Sequence, residues 1–361
     1  MSQTHRPVAA EIRPGRGAIS ANSGRFERFS RSDDWDGWDI PEETHPLRTS
    51  VRTERAKSII NYIRSPDLPF DRTLNPYRGC EHGCIYCFAR PTHAFLGLSA
   101  GLDFETRLIA RPDAPDILAR ELAARRYRVA PIAIGTATDP YQPIERDHGI
   151  MRACLEVLLA YRHPVAITTK GTLIERDLDI LAELAGQGLA RVGISVTTLD
   201  ADLSRRMEPR APRPARRLAT IRALTDAGIS VRVMASPMIP ALTDPELEAI
   251  LTAGAEAGAE AASWVMLRLP LEVAALWKEW LTEHYPDRVN RVMGHIRDMH
   301  GGQEYRSDWH RRMQGEGAYA ALVGQRFKRA VRALGLDRTL PPLRTDLFQV
   351  PPKPGDQLTL F

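Results

Sequence analysis

The stretch Asn75-Pro76-Tyr77-Arg78-Gly79-Cys80-Glu81-His82-Gly83-Cys84-Ile85-Tyr86-Cys87 decides how this chain is read. Cys80, Cys84 and Cys87 are spaced CxxxCxxC, and three thiolates on one short loop can wrap a single metal centre. Gly79 and Gly83 let that loop bend tightly. No apolar run reaches the roughly 18 residues of a membrane span, and the N-terminus lacks the apolar core of a secretory signal. The expectation is a cytoplasmic protein with no membrane association, where clustered cysteines act as ligands or redox groups rather than as disulfides. Two centres stay open at this point. A structural zinc would need a fourth ligand, His82 or His93, whereas an iron–sulfur cubane on three thiolates leaves one iron free for a substrate or cofactor.

Outward from the loop, short β-branched runs alternate with amphipathic helical stretches. Strands are expected near Leu74–Arg78, Pro131–Ala137, Val165–Thr169, Arg191–Val196, Ile229–Ala235 and Ala262–Leu267. Helical patterns fall between them at Asp113–Tyr127, Asp147–Tyr161, Leu178–Ala185, Ala215–Ala227 and Pro245–Ala257. Parallel strands need such crossovers, and repeated right-handed crossovers curl a sheet toward a barrel. The prediction is an α/β fold: a partial (β/α)6 TIM-type barrel over residues 51–270. Residues 1–50 show no sustained period and are expected to form a mostly disordered arm, with Trp35, Trp38 and Ile40 able to dock it. Residues 271–340 read as a helical basic extension, and the proline-rich residues 341–361 as a flexible tail. Apolar content of 43% and charged content of 26% exclude wholesale disorder, while a net charge of +4 permits a polyanionic partner without requiring one.

CxxxCxxC with an aromatic residue, Tyr86, before its last cysteine, placed after the first strand of a β-α barrel, resembles the radical S-adenosylmethionine (SAM) superfamily. Within it, NPYRGCEHGCIYC, GTATDPYQPIE, ITTKG, SVTTLD and SPMIP resemble the group related to spore photoproduct lyase, over roughly residues 60 to 345. The resemblance implies a 4Fe–4S cluster on Cys80, Cys84 and Cys87, with Tyr86 beside it and SAM chelating the open iron. An electron from an external one-electron donor then cleaves SAM to methionine and a 5′-deoxyadenosyl radical, which abstracts hydrogen from a substrate. Carried onto matching positions, it implies Asp139 or the carbonyls around it for the SAM amine, Lys170 for its carboxylate and Ser195 for its ribose. The lyase pattern also implies a hydrogen-returning cysteine near the end of the second strand, where this sequence has none. Cys154 shares a helical face with Ile150, Leu155, Leu158 and Tyr161, which is a core pattern. Tyr141 and Tyr86 are therefore the expected hydrogen relays.

Two features bear on substrate and partners. The loop 205–217 carries six arginines against Glu208, and Arg268 at the end of the sixth strand adds another cation near the expected cavity. Gln357, Leu358, Leu360 and Phe361 resemble the short peptide by which bacterial replication and repair proteins bind the sliding clamp. The leading expectation is a lyase-like radical SAM enzyme acting on nucleic acid in DNA repair. The alternatives are the same chemistry on a protein or small metabolite, and a non-enzymatic, zinc-stabilised nucleic-acid-binding module.

Overall fold

The computed structural model describes residues 13–27 and 47–352. Trp35, Trp38, Ile40 and the proposed clamp peptide Gln357–Phe361 lie outside the described residues. The chain begins with strands β1 (Ser50–Thr53), β2 (Ile60–Tyr62), β3 (Arg72–Leu74) and β4 (Tyr77–Arg78). The cysteine loop leads through a 3-10 turn, Arg90–Leu96, into α1 (Leu102–Thr106), β5 (Arg107–Ala110), α2 (Ala114–Leu122) and β6 (Ile132–Ile134). Next come α3 (Glu145–His148), α4 (Ile150–Ala160), β7 (Val165–Thr169), α5 (Leu178–Gly186) and β8 (Ala190–Ser195). The barrel ends with α6 (Ala201–Met207), α7 (Pro214–Asp226), β9 (Val231–Met238), α8 (Leu247–Glu256) and β10 (Ala261–Met266). Helices α9 (Glu272–His284), α10 (Val289–Met299) and α11 (Gly317–Ala333) follow.

Strands β10-β9-β8-β7-β6-β3 pair in parallel in that order, and β2 adds an antiparallel edge to β3. These six parallel strands are the expected half-barrel. Its inner and helix-facing side chains, among them Ile134, Ile167, Val192, Val233 and Leu251, form one buried core. Gly228, just past α7 with φ +77°, supplies the left-handed residue that lets Ile229 N–H return to the Leu224 carbonyl at 3.0 Å. A second core joins the cysteine loop to α9 and α10, where Trp277 and Trp280 are fully buried and stacked at 5.1 Å.

Three expectations need correction. The first strand is two: Pro76 has no N–H to donate, and past it the chain leaves the barrel sheet so that β4 pairs with β5 in a small β1-β5-β4 sheet. Residues 13–27 are packed rather than solvated, because Gly17 and Ala18 donate their backbone N–H groups to the buried Glu105 carboxylate at 2.9 and 2.8 Å. The start of the tail is docked too, since Phe348 packs against Tyr127, Tyr161 and His163 and Gln349 N–H donates to the Tyr161 carbonyl at 3.1 Å.

An open half-barrel has two unpaired edges, and residues 309–313 bridge them. On the β10 side, the Met313 carbonyl accepts from Met266 N–H at 2.8 Å. On the β2–β3 side, the Asp67 carboxylate accepts from His310 N–H and Arg312 Nε, both at 2.6 Å, while Arg312 Nη2 donates to Ser65 Oγ at 2.7 Å. Asp67→Ala is expected to leave the half-barrel folded but to speed limited proteolysis within 300–316, read by mass spectrometry. Cys154 is fully buried in the main core, so Cys154→Ala is expected to lower urea-unfolding stability by about 1 kcal/mol and nothing more.

Candidate active site

The C-terminal ends of the parallel strands open into a cavity of ≈ 1040 Å³. Cys80, Cys84, Cys87, Tyr86, Asp139, Lys170, Ser195 and Arg268 all line it, so eight of the nine site residues named from the barrel sequence are brought together. Tyr141 is not. Asp139 Oδ1 accepts from Tyr141 N–H at 2.9 Å, and the turn this closes sends the ring into the main core, facing Asp177 and Glu145. The hydrogen-relay role expected of Tyr141 is therefore corrected, and Tyr141→Phe is expected to leave turnover unchanged.

One guanidinium shapes the cysteine loop. Arg90 is fully buried, and all its donors are used: Nε on the Cys84 carbonyl (2.9 Å), Nη1 on Ala100 (3.1 Å) and Gly101 (2.9 Å), Nη2 on Gly83 (3.0 Å) and Glu105 (2.5 Å). From the opposite side, Thr138 Oγ1 and Gln142 Nε2 donate to the Gly79 carbonyl at 2.6 and 3.3 Å, and Gln142 Oε1 accepts from Glu81 N–H at 2.8 Å. Gly79 and Gly83 adopt φ +76° and +67°. A Cβ on Gly83 would lie 2.6 Å from Glu105, so no larger residue fits there.

Asp139 is a hub. Besides Tyr141, it accepts from Thr169 Oγ1 (2.5 Å) and Lys170 N–H (2.8 Å), and His82 Nδ1 stands 3.3 Å away. Burial alone would raise its carboxyl, but His82 and these hydrogen bonds hold it well below the usual carboxylate range. With its oxygens occupied, Asp139 fixes the backbone from which Lys170 projects. The backbone at Gly135, Thr136 and Ala137 is left facing the cavity. Gly135 has φ +93°, and a Cβ there would meet the Thr168 carbonyl at 1.9 Å.

A second buried network flanks Tyr86. Its hydroxyl donates to Glu208, which also accepts from Arg217 and, at 2.9 Å, from Thr197 Oγ1. Burial would raise the Glu208 carboxyl, but the Arg217 and Lys170 cations outweigh it and bring it down to about 2. Lys170 Nζ sits 5.7 Å from the Tyr86 ring centroid; burial disfavours its charge, and Cys84 and Glu208 more than restore it. Half of the loop's six arginines are thus structural: Arg217 is buried with Glu208, Arg210 pairs with Glu81 at 2.8 Å, and Arg216 pairs with Glu175 at 2.6 Å. Arg90, Glu105, Glu208 and Arg217 are the residues that sequence reading missed, since a charged residue in sequence carries no mark of being buried.

The donor set was tested for a metal centre. The three cysteines are unpaired thiols lining one cavity, and burial raises both Cys80 and Cys84, the latter to about 12, so a metal must displace those protons to bind. Among the described residues no three His, Cys, Asp or Glu side chains are gathered around a point that would hold a single ion. His93, turned to the Arg107 carbonyl at 3.0 Å, lies outside the cavity, and His82 is engaged by Asp139. Three soft sulfur donors beside an open cavity fit a polynuclear cluster better than a closed four-ligand zinc site.

Residues 74–253 match the model of the radical SAM superfamily. The chain belongs to that superfamily. An uncharacterized protein of Mycobacterium tuberculosis strain H37Rv is 39% identical over 238 residues, covering 65% of this chain and 70% of that protein. Spore photoproduct lyase complexed with dinucleoside spore photoproduct shares the fold at a TM-score of 0.57 and 14% identity, covering 79% of each chain. A double mutant of that lyase with bound S-adenosylmethionine and dinucleoside spore photoproduct gives a TM-score of 0.56 at 13% identity, again covering 79% of each chain. Among the described residues of this superfamily member, no helix is long and apolar enough to cross a membrane.

The ionised Glu208 stabilises the fold above the ordinary glutamate pKa near 4.3, and that stability is lost as pH falls from about 5 toward 2. Glu208→Gln is expected to flatten this acid slope in unfolding titrations. At neutral pH it should cost about 3–5 kcal/mol, because Arg217 is left buried without its partner.

Proposed function

We propose that this radical SAM enzyme cleaves S-adenosylmethionine reductively and takes a hydrogen atom from a nucleic-acid strand, in a lyase-like repair reaction. The observation that carries the reading is the cavity itself, lined by two buried thiols and a half-buried third together with cations and aromatic side chains. Cys80, Cys84 and Cys87 would hold a 4Fe–4S cluster. When bound, the cluster supplies, from an external donor, the electron that breaks a C–S bond of SAM and leaves a 5′-deoxyadenosyl radical to take hydrogen from the substrate.

The chain's own residues bind, orient and seal. Lys170, pre-charged and projecting from backbone that Asp139 fixes, suits the SAM carboxylate. The carbonyls of Gly135–Ala137 suit its amine, and Ser195 at the end of β8 its ribose. Tyr86 is held by Glu208 and Thr197. Burial keeps competing water away from this end of the cavity. Farther out the lining gains Arg64, Arg78, Arg111, Arg268 and Arg312, with Phe88, Phe95 and Trp309 between them, while Asp139 is its one carboxylate. Cations that neutralise phosphates beside aromatic faces that stack bases are the two components of single-strand recognition. The cavity's cysteines are the three of the loop, and Cys154 is far inside the core. A product radical must therefore be quenched by something other than a thiol of the described chain; of the two tyrosines on the lining, Tyr77 is bonded to Glu145 and Tyr86 lies within the cysteine loop itself.

Anaerobic reconstitution with iron and sulfide is expected to give a brown protein that forms 5′-deoxyadenosine from SAM under reduction; colourless protein with stoichiometric zinc would sink the reading in favour of the zinc module. Cys84→Ala is expected to abolish 5′-deoxyadenosine formation. Lys170→Met is expected to raise the KM for SAM about tenfold to a hundredfold, the loss of a charge-assisted bond worth about 1.5–3 kcal/mol.

A further inference from the structure

We infer that Arg268 is the residue that takes a backbone phosphate of the substrate, which fixes the substrate's register against the cysteine loop; this rests on the nucleic-acid reading above. Arg268 follows β10 at the cavity wall. Its guanidinium carbon lies 4.8 Å from the centroid of Phe88 and 6.0 Å from that of Tyr305. Its donors are poorly used. Nη2 reaches Tyr305 Oη at 3.2 Å, Nη1 reaches only the Met313 sulfur at 3.7 Å, and the buried Nε–H has no partner. Thioether sulfur is a weak acceptor, so two of three nitrogens are effectively unsatisfied.

The contrast with its neighbours is what singles it out. Arg78 and Arg111 share Glu54 at 3.7 and 3.4 Å, and Arg312 is bound to Asp67. Arg268 has no carboxylate within ion-pair distance among the described residues. A half-buried guanidinium without an anion is costly to hold, and a phosphate restores the balance because its oxygens match the guanidinium fork in pairs. Stacking on Phe88 and Tyr305 removes the rotamer freedom that binding would otherwise have to freeze.

The aromatic surroundings point to a strand rather than to a small carboxylate. Phe88 is 46% exposed and Trp309 56%, both on the cavity lining, and each offers a ring face to a base. Arg64, also on the lining and without a carboxylate partner among the described residues, stands ready for a further phosphate. Phe88 directly follows Cys87, so the residue that carries Arg268 is continuous with the loop that would carry the cluster. A phosphate on Arg268 therefore sets which nucleotide faces the reactive end of the cavity.

The test uses reconstituted holoenzyme with SAM and fluorescence anisotropy on a labelled single-stranded oligothymidylate, in phosphodiester form and with neutral methylphosphonate linkages. Wild type is expected to prefer the phosphodiester strand. Arg268→Gln should weaken phosphodiester binding about tenfold and lower the salt slope by about 0.7, the value for one phosphate contact on a single strand, while Arg268→Lys recovers part of both. The methylphosphonate strand should bind Arg268→Gln as it binds wild type. Equal losses on both strands would mean that Arg268 only packs, and unchanged affinity and slope would mean that it does not contact phosphate; either overturns the assignment alone. A nucleoside monophosphate that competes as well as the strand overturns it in favour of a small phosphorylated substrate. Absence of wild-type binding to either strand, with 5′-deoxyadenosine still formed, removes the nucleic-acid reading and the assignment together but leaves the cofactor chemistry standing.

Discussion

The five N–H donors of Arg90 hold the head of this molecule together. They tie the carbonyls of Gly83 and Cys84, inside the cysteine loop, to those of Ala100 and Gly101 beyond it, and to the carboxylate of Glu105. A buried cation is tolerated only when every donor is met, and here it is. The same carboxylate then accepts the backbone of Gly17 and Ala18, which straps an upstream segment across the loop. Gly17 is required for that approach, since a Cβ there would lie 1.9 Å from the Gly83 carbonyl. Three cysteines far from ideal for a single ion are thus presented by a loop whose backbone has no freedom left. Arg90 is a positioning residue; lysine, with three donors on one nitrogen, could not reproduce the fork.

Charge is divided with similar economy around the cavity. Arg217 and Glu208 bury each other, and Glu208 in turn holds the Tyr86 hydroxyl and favours the charge on Lys170, which Arg217 opposes. Such a pair adds little net stability, because desolvation offsets most of the Coulomb gain, and its value lies in fixing one arrangement. Of the six arginines of residues 205–217, the ones that look most available in sequence, three are already engaged with Glu208, Glu81 and Glu175. The cavity-lining arginines without a carboxylate partner among the described residues, Arg64 and Arg268, are instead scattered singly through the chain, and only the fold collects them.

That contrast explains what could be read from sequence. The six parallel strands were legible because buried strands carry β-branched runs of the right length, as Val165–Thr169 shows by matching its expected bounds. The gathering of Cys80, Cys84 and Cys87 on one cavity lining was legible because CxxxCxxC keeps three thiols on one short loop. The β1-β5-β4 sheet was not, since two to four residues leave no period to detect. Nor was the packing of residues 13–27, which depends on two backbone N–H groups and one distant carboxylate rather than on side-chain pattern. Tyr141 was misread for a local reason: it lies two residues from Asp139, but the turn that Asp139 closes with Tyr141 N–H and the close approach of Gly171, where a Cβ would meet the Tyr141 carbonyl at 2.4 Å, turn its ring away from the cavity.

The half-barrel's openness then acquires a purpose. A closed eight-stranded barrel of this type fills its interior with side chains, leaving ligands to the loops above. Six strands leave a gap, and the segment from Trp309 to Met313, clasped to Asp67 on one side and to Met266 on the other, spans it with Trp309, Arg312 and Met313 on the cavity lining. The wall across the gap is therefore made of a ring, a paired cation and a thioether on one short segment, whereas the wall at the thiols is fixed by Arg90, Asp139 and Glu208. Buried polar networks are concentrated at the thiols, where a reactive radical would need confinement.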